Sequence, residues 1–362
     1  MALAVACLCL IPVAISYLGA VFSSSDTTLG IRTVEWLRDN GARGIVNKVE
    51  NIYYSLNAPA KGGPGIKALP RQAGAVAPAS PRRVRATVHY YRPPNISPVM
   101  SPALPGEGVW HATFGPGGAR PPVLITSFRP DPNYPRLVAG VAWIDHTRTS
   151  TMLFPGASEP AVALPSRGPE EVPLSLRGQL VATFNSGFKL VDSRGGFAYH
   201  GHTYAPLTDD RATIVRYSDG RVDVVNWTGG PQAPANVVFA RQNLPLIVED
   251  GHLNPNLSDG PEWGATLGNA IRVWRSGVGI DGHGNLIYAA ANDQTVGSLA
   301  AILQRAGAVR AMELDINTYW TSFISYREPG AIGAANLLAD MDRSDQRYLT
   351  PDDRDFFVVT LK

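Results

Sequence analysis

The segment RAMELDINTYW, residues 310–320, decides how the chain is interpreted. Side chains alternate along a β-strand, so Met312, Leu314 and Ile316 should face one side, and Glu313 and Asp315 the other. Two neighbouring acids in an apolar strand cost free energy unless another group compensates for them or uses them. The segment therefore predicts a strand that carries a polar site near its end.

The surrounding sequence predicts antiparallel pairs. Residues 213–217 and 222–226 flank the turn signal Ser-Asp-Gly-Arg, and residues 276–280 and 286–290 flank Asp-Gly-His-Gly-Asn. Residues 298–306 have the apolar spacing of a short helix, which Gly307 ends. We therefore expect an α+β fold with a mixed, largely antiparallel sheet and few helices, preceded by one N-terminal transmembrane helix and a Pro-rich linker.

Four regions follow from composition. Residues 1–22 carry no charge and have about the length of a membrane span, which predicts a transmembrane anchor; an uncleaved or cleaved signal peptide is the alternative. Residues 23–56 should form a juxtamembrane helical segment. Residues 57–106 hold ten of the thirty prolines and are interpreted as a Pro/Gly-rich linker. Residues 107–362 form the functional domain.

Charge and cysteine content restrict the function. A net charge of +2 without a basic stripe gives no indication of a nucleic-acid partner. Both cysteines, Cys7 and Cys9, lie in the first ten residues, so the domain has no cysteine nucleophile or cysteine metal site. P-loop, nucleophile-elbow and dinucleotide motifs are also missing, and we expect no cofactor.

Three segments hold candidate site residues. The strand 180–184 breaks at Asn185, Ser186 and Gly187, which presents an amide and free backbone N–H groups, although a tight turn explains the same residues. Arg275 precedes a strand of alternating glycines and could bind a phosphate with two parallel hydrogen bonds; a pair with a nearby carboxylate is the alternative.

The third segment holds Glu313, Asp315 and Asn317 at every second position. Such neighbours lie about 6.5 to 7 Å apart, within the range of the carboxyl pairs that glycosidases use. The alternative is a structural ion pair between one acid and an arginine. His200 and His202 could offer two imidazoles to a metal, but no third ligand is evident, and we expect no metal.

In order and spacing, these segments resemble the phosphodiester glycosidase domain family. Its Asn-Gly-Gly-Phe-Phe turn corresponds to Asn185-Ser-Gly-Phe188, and its arginine before Gly-Ile-Asp corresponds to the segment 275–281. Its Leu-Asp-Gly-Gly motif corresponds to residues 314–317, with Ile316 and Asn317 in place of the two glycines. The resemblance covers residues 180–325.

The resemblance implies hydrolysis of a sugar-1-phosphodiester, of the N-acetylglucosamine-1-phosphate type, in cell-envelope glycans or their precursors. It implies Asp315, Glu313 and Arg275 as catalytic residues, with substrate binding by the following residues: Asn185, Ser186, Gly187, Asn317 and Asp281. The alternatives are a non-catalytic envelope glycan-binding or assembly protein that retains the fold, and a metal-dependent phosphodiesterase using His200, His202 and Asp315.

The resemblance also bears on location. Members of this family generally work in lumenal or extracellular space, although three arginines after the apolar segment favour a cytoplasmic body by the positive-inside rule. We expect a single-pass protein of a bacterial cell membrane, anchored by its N-terminal helix, whose domain faces the extracellular side and meets a glycan or sugar-phosphate substrate.

Overall fold

The computed structural model describes residues 2–22, 27–76, 90–114, 120–258, 263 and 272–362. Six α-helices and eighteen strands are present in these residues. The helices are α1 (Ala2–Val21), α2 (Leu29–Leu37), α3 (Arg43–Leu56), α4 (Leu174–Arg177), α5 (Leu190–Ser193) and α6 (Val296–Arg305). The strands are β1 (His111–Ala112), β2 (Val123–Phe128), β3 (Ala139–Ile144), β4 (Thr149–Phe154), β5 (Leu180–Asn185), β6 (Phe197–Tyr199), β7 (His202–Ala205), β8 (Ala212–Tyr217), β9 (Val222–Asn226), β10 (Val237–Gln242), β11 (Leu246–Glu249), β12 (His252–Leu253), β13 (Val273–Asp281), β14 (Leu286–Gln294), β15 (Ala308–Ile316), β16 (Phe323–Ser325), β17 (Ala335–Asn336) and β18 (Phe356–Leu361).

The strands form three sheets. The large sheet has the order β1-β2-β3-β14-β13-β15-β11-β12, and the two smaller sheets have the orders β7-β6-β10-β8-β9 and β17-β16-β5-β18-β4. The α+β prediction and both predicted hairpins, β8–β9 and β13–β14, are confirmed. Every pairing between described strands is antiparallel, including pairs of strands that are distant in sequence, so the prediction of a mixed sheet is wrong in that respect.

The large sheet is packed on both faces. One face meets α6, whose Leu299, Ile302 and Leu303 share a buried cluster with Ile287 of β14. The other face carries Met312 and packs against the two smaller sheets, in a cluster whose members from those sheets include Phe184, Phe357, Ile214 and Val224. The predicted strand of residues 310–316 thus lies in the middle of the core.

Glycines in β13 allow this packing. A Cβ atom added at Gly277 would lie 2.8 Å from Leu303 Cδ1 and 2.9 Å from the Met312 carbonyl oxygen. The alternation of glycine and apolar residues had suggested close approach by backbone or by a ligand. The structure shows that helix α6 and the neighbouring strand take that space.

A bulge changes the side-chain alternation at the end of β15. Gly277 pairs with Glu313 and Arg275 with Ile316, so β15 has one more residue than β13 between these pairs. Ile316 consequently packs in the cluster on the α6 side, whereas Met312 and Leu314 lie in the other cluster. The prediction that all three share one face is therefore wrong for Ile316.

The N-terminal residues are helical, as expected for residues 29–56. Helices α2 and α3 are separated by a π-helical stretch, Arg38–Ala42, in which Gly41 has φ 90° and ends the regular geometry of α2. Among the described residues, no helix combines the length and the apolarity needed to cross a membrane.

The described ends of the predicted linker lie against the body. Arg136 donates hydrogen bonds to the carbonyl oxygens of Ala60 and Gly62, and Ile96 is buried among residues of the large sheet. Residues 77–89 of this stretch lie outside the described part of the chain.

Candidate active site

Asp315 lies where the large sheet meets the sheet that contains β5 and β18. Its backbone N–H donates to the Ser186 carbonyl oxygen at 3.0 Å, which fixes the end of β15 against the turn after β5. Its carboxylate Oδ2 accepts a 2.6 Å hydrogen bond from Arg354, and Oδ1 accepts the N–H of Ile316 at 3.0 Å. The side chain is 9% exposed.

The surroundings adjust the acidity of Asp315. Burial raises its pKa, while the positive charge of Arg354 and the Ile316 hydrogen bond lower it, and the net result is a pKa of about 6. Such a carboxyl group is partly protonated near neutral pH, so it is able to give or take a proton there.

Arg354, just before β18, is the functional residue that the sequence analysis missed. Its Nη2 donates to Asp315 and, at 3.2 Å, to the Gly187 carbonyl oxygen. The guanidinium carbon lies 4.9 Å from the ring centre of Trp320. Its charge stabilises that of Asp315, and the pKa of Arg354 is raised by the nearby acids, against the effect of burial.

Arg275 and Glu313 form a separate pair. Arg275 Nη1 lies 2.5 Å from a carboxylate oxygen of Glu313, and both side chains are completely buried. Arg275 also donates from Nε to the Gln294 carbonyl oxygen at 3.0 Å. Neither group reaches the surface, so the structure shows the ion-pair alternative for both, and their catalytic roles stay predictions.

Glu313 and Asp315 are the two acids that the sequence predicted as a carboxyl pair. The bulge in β15 separates the two acids, and each meets a different arginine. Burial raises the pKa of Glu313, and Arg275 opposes that rise.

Asn185 joins the elements around Asp315 through its side-chain amide. Its side-chain nitrogen donates to the Ser186 carbonyl oxygen and to Ser276 Oγ, at 2.9 and 3.0 Å. Its side-chain oxygen accepts from Tyr288 and from the Ser322 N–H, at 2.9 and 3.0 Å. All four hydrogen-bonding positions of the amide are thus used, so Asn185 is a positioning residue.

Ser186 and Gly187 contribute backbone atoms. Their carbonyl oxygens hold the Asp315 N–H and Arg354 Nη2, respectively. A Cβ atom at Gly187 would lie 3.0 Å from Asn243 Cγ, which explains the need for glycine at this point. The segment predicted to bind substrate is therefore at the site, but it supports the two charged side chains.

Asn317 forms the turn after β15. Its φ is 80°, and its side-chain oxygen accepts the N–H groups of Tyr319 and Trp320 at 3.0 and 3.1 Å. Asparagine tolerates this left-handed conformation better than other non-glycine residues. It therefore preserves a conformation suited to the glycine of the family motif, and its side chain is used within the turn.

Asp281 and the candidate metal ligands are the remaining predicted positions. Asp281 is at the opposite end of β13 from Arg275. The rise per residue of a β-strand puts the two residues about 20 Å apart. Its carboxylate accepts hydrogen bonds from the hairpin backbone and from Trp143. In the described part of the chain, no cluster of three or more His, Cys, Asp or Glu side chains is arranged to hold a metal. His200, His202 and Asp315 therefore do not form such a cluster.

A cavity of about 360 Å³ lies beside Arg354. Helix α2 and the stretch after it form one wall, and the body forms the other. Asp315 lies behind this wall and accepts a hydrogen bond from Arg354, which lines the cavity. Charged and aromatic residues dominate the lining, among them Glu35, Asp39, Glu159, Lys189, Trp320 and Arg354.

Glu159 is one of the carboxyl groups that line this cavity, and the sequence did not suggest it. It is 4% exposed, and its Oε2 accepts the Ala161 N–H at 3.1 Å. Its charge also contributes to the raised pKa of Arg354. Glu159 lies in a proline-rich loop with no motif. For Arg354, the sequence feature that could have indicated the residue is the run Pro-Asp-Asp-Arg-Asp before the last strand.

Comparisons with known proteins agree with the family suggested by the sequence. Residues 172–315 match the model of the phosphodiester glycosidase family, which confirms the predicted resemblance. No curated protein matches the chain.

Three solved structures show some similarity. The catalytic domain of zebrafish N-acetylglucosamine-1-phosphodiester alpha-N-acetylglucosaminidase, auto-inhibited by its pro-peptide, is 15% identical with a TM-score of 0.42, over 68% of this chain and 85% of that chain. A hypothetical protein from Synechocystis is 14% identical with a TM-score of 0.36, over 68% and 65%. A putative exported protein from Burkholderia pseudomallei is 11% identical with a TM-score of 0.29, over 64% and 75%.

Proposed function

We propose that this chain hydrolyses a sugar-1-phosphodiester of the N-acetylglucosamine-1-phosphate type, with Asp315 as the reacting carboxyl group. The family match over residues 172–315 supports phosphodiester glycosidase chemistry in general. The observation that carries the residue assignment is the buried contact between Asp315 and Arg354 at the wall of the cavity.

The proposed reaction breaks the bond between the anomeric carbon and the phosphate oxygen. The bonding electrons leave with the phosphate monoester. A water oxygen finally forms the new bond to the anomeric carbon of the sugar. Because a phosphate monoester is a stable leaving group, the reaction needs little help from a general acid. Asp315 therefore acts in its ionised form, either as a nucleophile on the anomeric carbon or as the base that takes a proton from water.

Arg354 has two roles in this proposal. It holds the Asp315 carboxylate in place through Nη2, and its charge favours the ionised form of that carboxylate. Glu159, which lines the same cavity, is the second carboxyl group that a glycosidase requires. This replaces the assignment of Glu313, whose side chain is completely buried.

The test follows sugar release by the purified full chain from the methyl phosphodiester of N-acetylglucosamine 1-phosphate. Wild type should release free N-acetylglucosamine, and Asp315→Asn should lose at least 100-fold in kcat/KM. Asp219→Asn is the matched control, because this carboxyl group is 66% exposed on the β8–β9 turn, and it should keep wild-type activity.

Two results would contradict the proposal. One is equal turnover by wild type and Asp315→Asn. The other is a folded wild type that binds the diester but does not cleave it, which favours the alternative of a non-catalytic glycan-binding or assembly protein in the cell envelope.

The extracellular location is also part of the proposal, and it rests on the sequence and on where members of the family generally work. The measurement is protease digestion of intact bacterial cells that express the full chain. Cleavage of the body before lysis supports an exposed domain, and protection until lysis contradicts it.

A further inference from the structure

The cavity next to Arg354 contains a second cation, Lys189, which precedes α5. The Lys189 ammonium lies 2.5 Å from a carboxylate oxygen of Glu35 and 3.1 Å from both carboxylate oxygens of Asp39. The lysine side chain is 13% exposed. One ammonium on the body is thus surrounded by carboxylate oxygens that belong to the N-terminal helical segment.

Arg354 lines the cavity and has hydrogen-bonding capacity left. Its Nη2 is used by Asp315 and Gly187, but Nε is buried and has no partner among the described residues. A guanidinium with a spare N–H at a cavity wall is suited to an oxyanion, because its donors lie in one plane and match two oxygens of the same group.

The charges of both cations act on the same acid. Burial on its own would raise the pKa of Glu35, but Lys189 and Arg354, with a smaller contribution from Arg38, hold it below its ordinary value. The Glu35 carboxylate therefore lies in the combined field of one cation that it contacts and another nearby. This is a place where the protein stabilises a negative charge.

Polar contacts contribute to holding α2 and the residues just before it against the body. No residue of α2 is fully buried. Around the cavity, Thr27 donates to Asp353 at 2.6 Å, and the Thr28 N–H donates to the Tyr319 hydroxyl at 3.0 Å. A segment attached mainly through exposed and half-buried polar pairs can be displaced without opening an apolar core.

We propose that Lys189 and Arg354 bind the phosphate of the substrate, and that the carboxylate of Glu35 occupies that phosphate position in this structure. The inference rests on the proposed function for the identity of the ligand, a sugar phosphate. It assigns the phosphate to different cations from Arg275, the residue that the sequence suggested, because Arg275 is completely buried with Glu313.

Binding of N-acetylglucosamine 1-phosphate to the full chain, measured by titration calorimetry, tests this without requiring turnover. Glu35→Gln removes the competing charge with little change of shape, and its dissociation constant should be at least tenfold lower than that of wild type. Lys189→Gln should raise the dissociation constant at least tenfold. Glu50→Gln is the matched control, since Glu50 is in the same N-terminal segment but pairs with Arg38, and it should bind as wild type does.

An unchanged affinity in Glu35→Gln, with the variant folded by circular dichroism, overturns the proposal. If Lys189→Gln does not fold, Glu35→Gln alone decides the question. Failure of this inference is distinguishable from failure of the proposed function. If the dissociation constant changes in these variants as expected but the diester is not hydrolysed, the phosphate site is supported and the hydrolysis is not. If the wild type hydrolyses the diester but the dissociation constant is the same in these variants as in wild type, the hydrolysis is supported and the phosphate site is not.

Discussion

Arg354 and Asp315 meet through a 2.6 Å hydrogen bond, although they come from different sheets and are 39 residues apart in sequence. Both side chains are less than a tenth exposed, at 8% and 9%. A buried carboxylate needs a paired charge and hydrogen bonds, and a glycosidase needs a carboxyl group beside its substrate. The contact satisfies the first requirement, and the second is part of the proposal, since Arg354 lines the cavity and Asp315 lies directly behind it.

The activity should depend on the ionisation of Asp315. Its pKa is about 6, and the proposed nucleophile or base is the ionised form. We therefore expect kcat/KM to rise about tenfold per pH unit below pH 6 and to level off above it. Initial rates between pH 4.5 and 8 with the methyl phosphodiester give this profile. A rate that falls as pH rises through 6 indicates a general acid instead.

The same group should make stability depend on pH. Folding raises the pKa of Asp315 from 3.8 to about 6, so its favourable contribution is present below pH 3.8 and is lost as pH rises through 6. Each pKa unit corresponds to about 1.4 kcal/mol, which makes the total change about 3 kcal/mol at most.

Urea unfolding of wild type and Asp315→Asn at pH 4 and pH 7.5 measures this contribution. The free energy of unfolding of wild type minus that of the variant should be lower at pH 7.5. A difference that stays constant between the two pH values means that folding does not change the acidity of Asp315.

The pair of Arg275 and Glu313 should prove structural. Arg275→Met leaves the buried Glu313 carboxylate without its cation and should cost about 3 to 5 kcal/mol of unfolding free energy. Arg275→Met combined with Glu313→Leu removes both charges and should recover most of that loss. If the double variant is stable but its KM for the diester rises more than tenfold, Arg275 has a role in binding.

Gly187 should not accept a side chain. The Cβ atom of Gly187→Ala would lie 3.0 Å from Asn243 Cγ and would shift the carbonyl group that holds Arg354. We expect a loss of about 1 to 3 kcal/mol of stability and a lower kcat. Gly282→Ala is the matched control, because its added Cβ atom would meet no atom within 4 Å. Thermal unfolding and initial rates compare the two, and equal behaviour would show that the turn is not tightly packed.

Short-range signals predicted six of the eighteen described strands, and α6. The β8–β9 and β13–β14 hairpins each have a turn signal between two alternating segments, and α6 has an apolar stripe, with Gly307 just beyond it at φ 99°. These features depend on neighbouring residues, so they can be interpreted without the tertiary structure. The antiparallel arrangement of three separate sheets depends on distant pairings and could not be derived in this way.

The site was predicted only in part for a similar reason. Asp315 and the turn of residues 185–187 lie together, as expected from the order of the motifs. The partner of Asp315 was not predicted, because Arg354 is brought to it by pairing of β18 with β5. The bulge in β15, which separates Glu313 from Asp315, depends on the register with β13, and strict alternation along the sequence cannot show it.

Hydrolysis in water enriched in oxygen-18 tests the central claim most directly. The full chain is incubated with the methyl phosphodiester of N-acetylglucosamine 1-phosphate, and the products are analysed immediately by mass spectrometry, with unlabelled N-acetylglucosamine in the same water as the control for exchange. The account predicts methyl phosphate without label and N-acetylglucosamine with label above the exchange control. Two results contradict it: labelled methyl phosphate with unlabelled N-acetylglucosamine, or methanol together with labelled N-acetylglucosamine 1-phosphate. In both cases a bond between phosphorus and oxygen is broken, and not the bond between the anomeric carbon and oxygen.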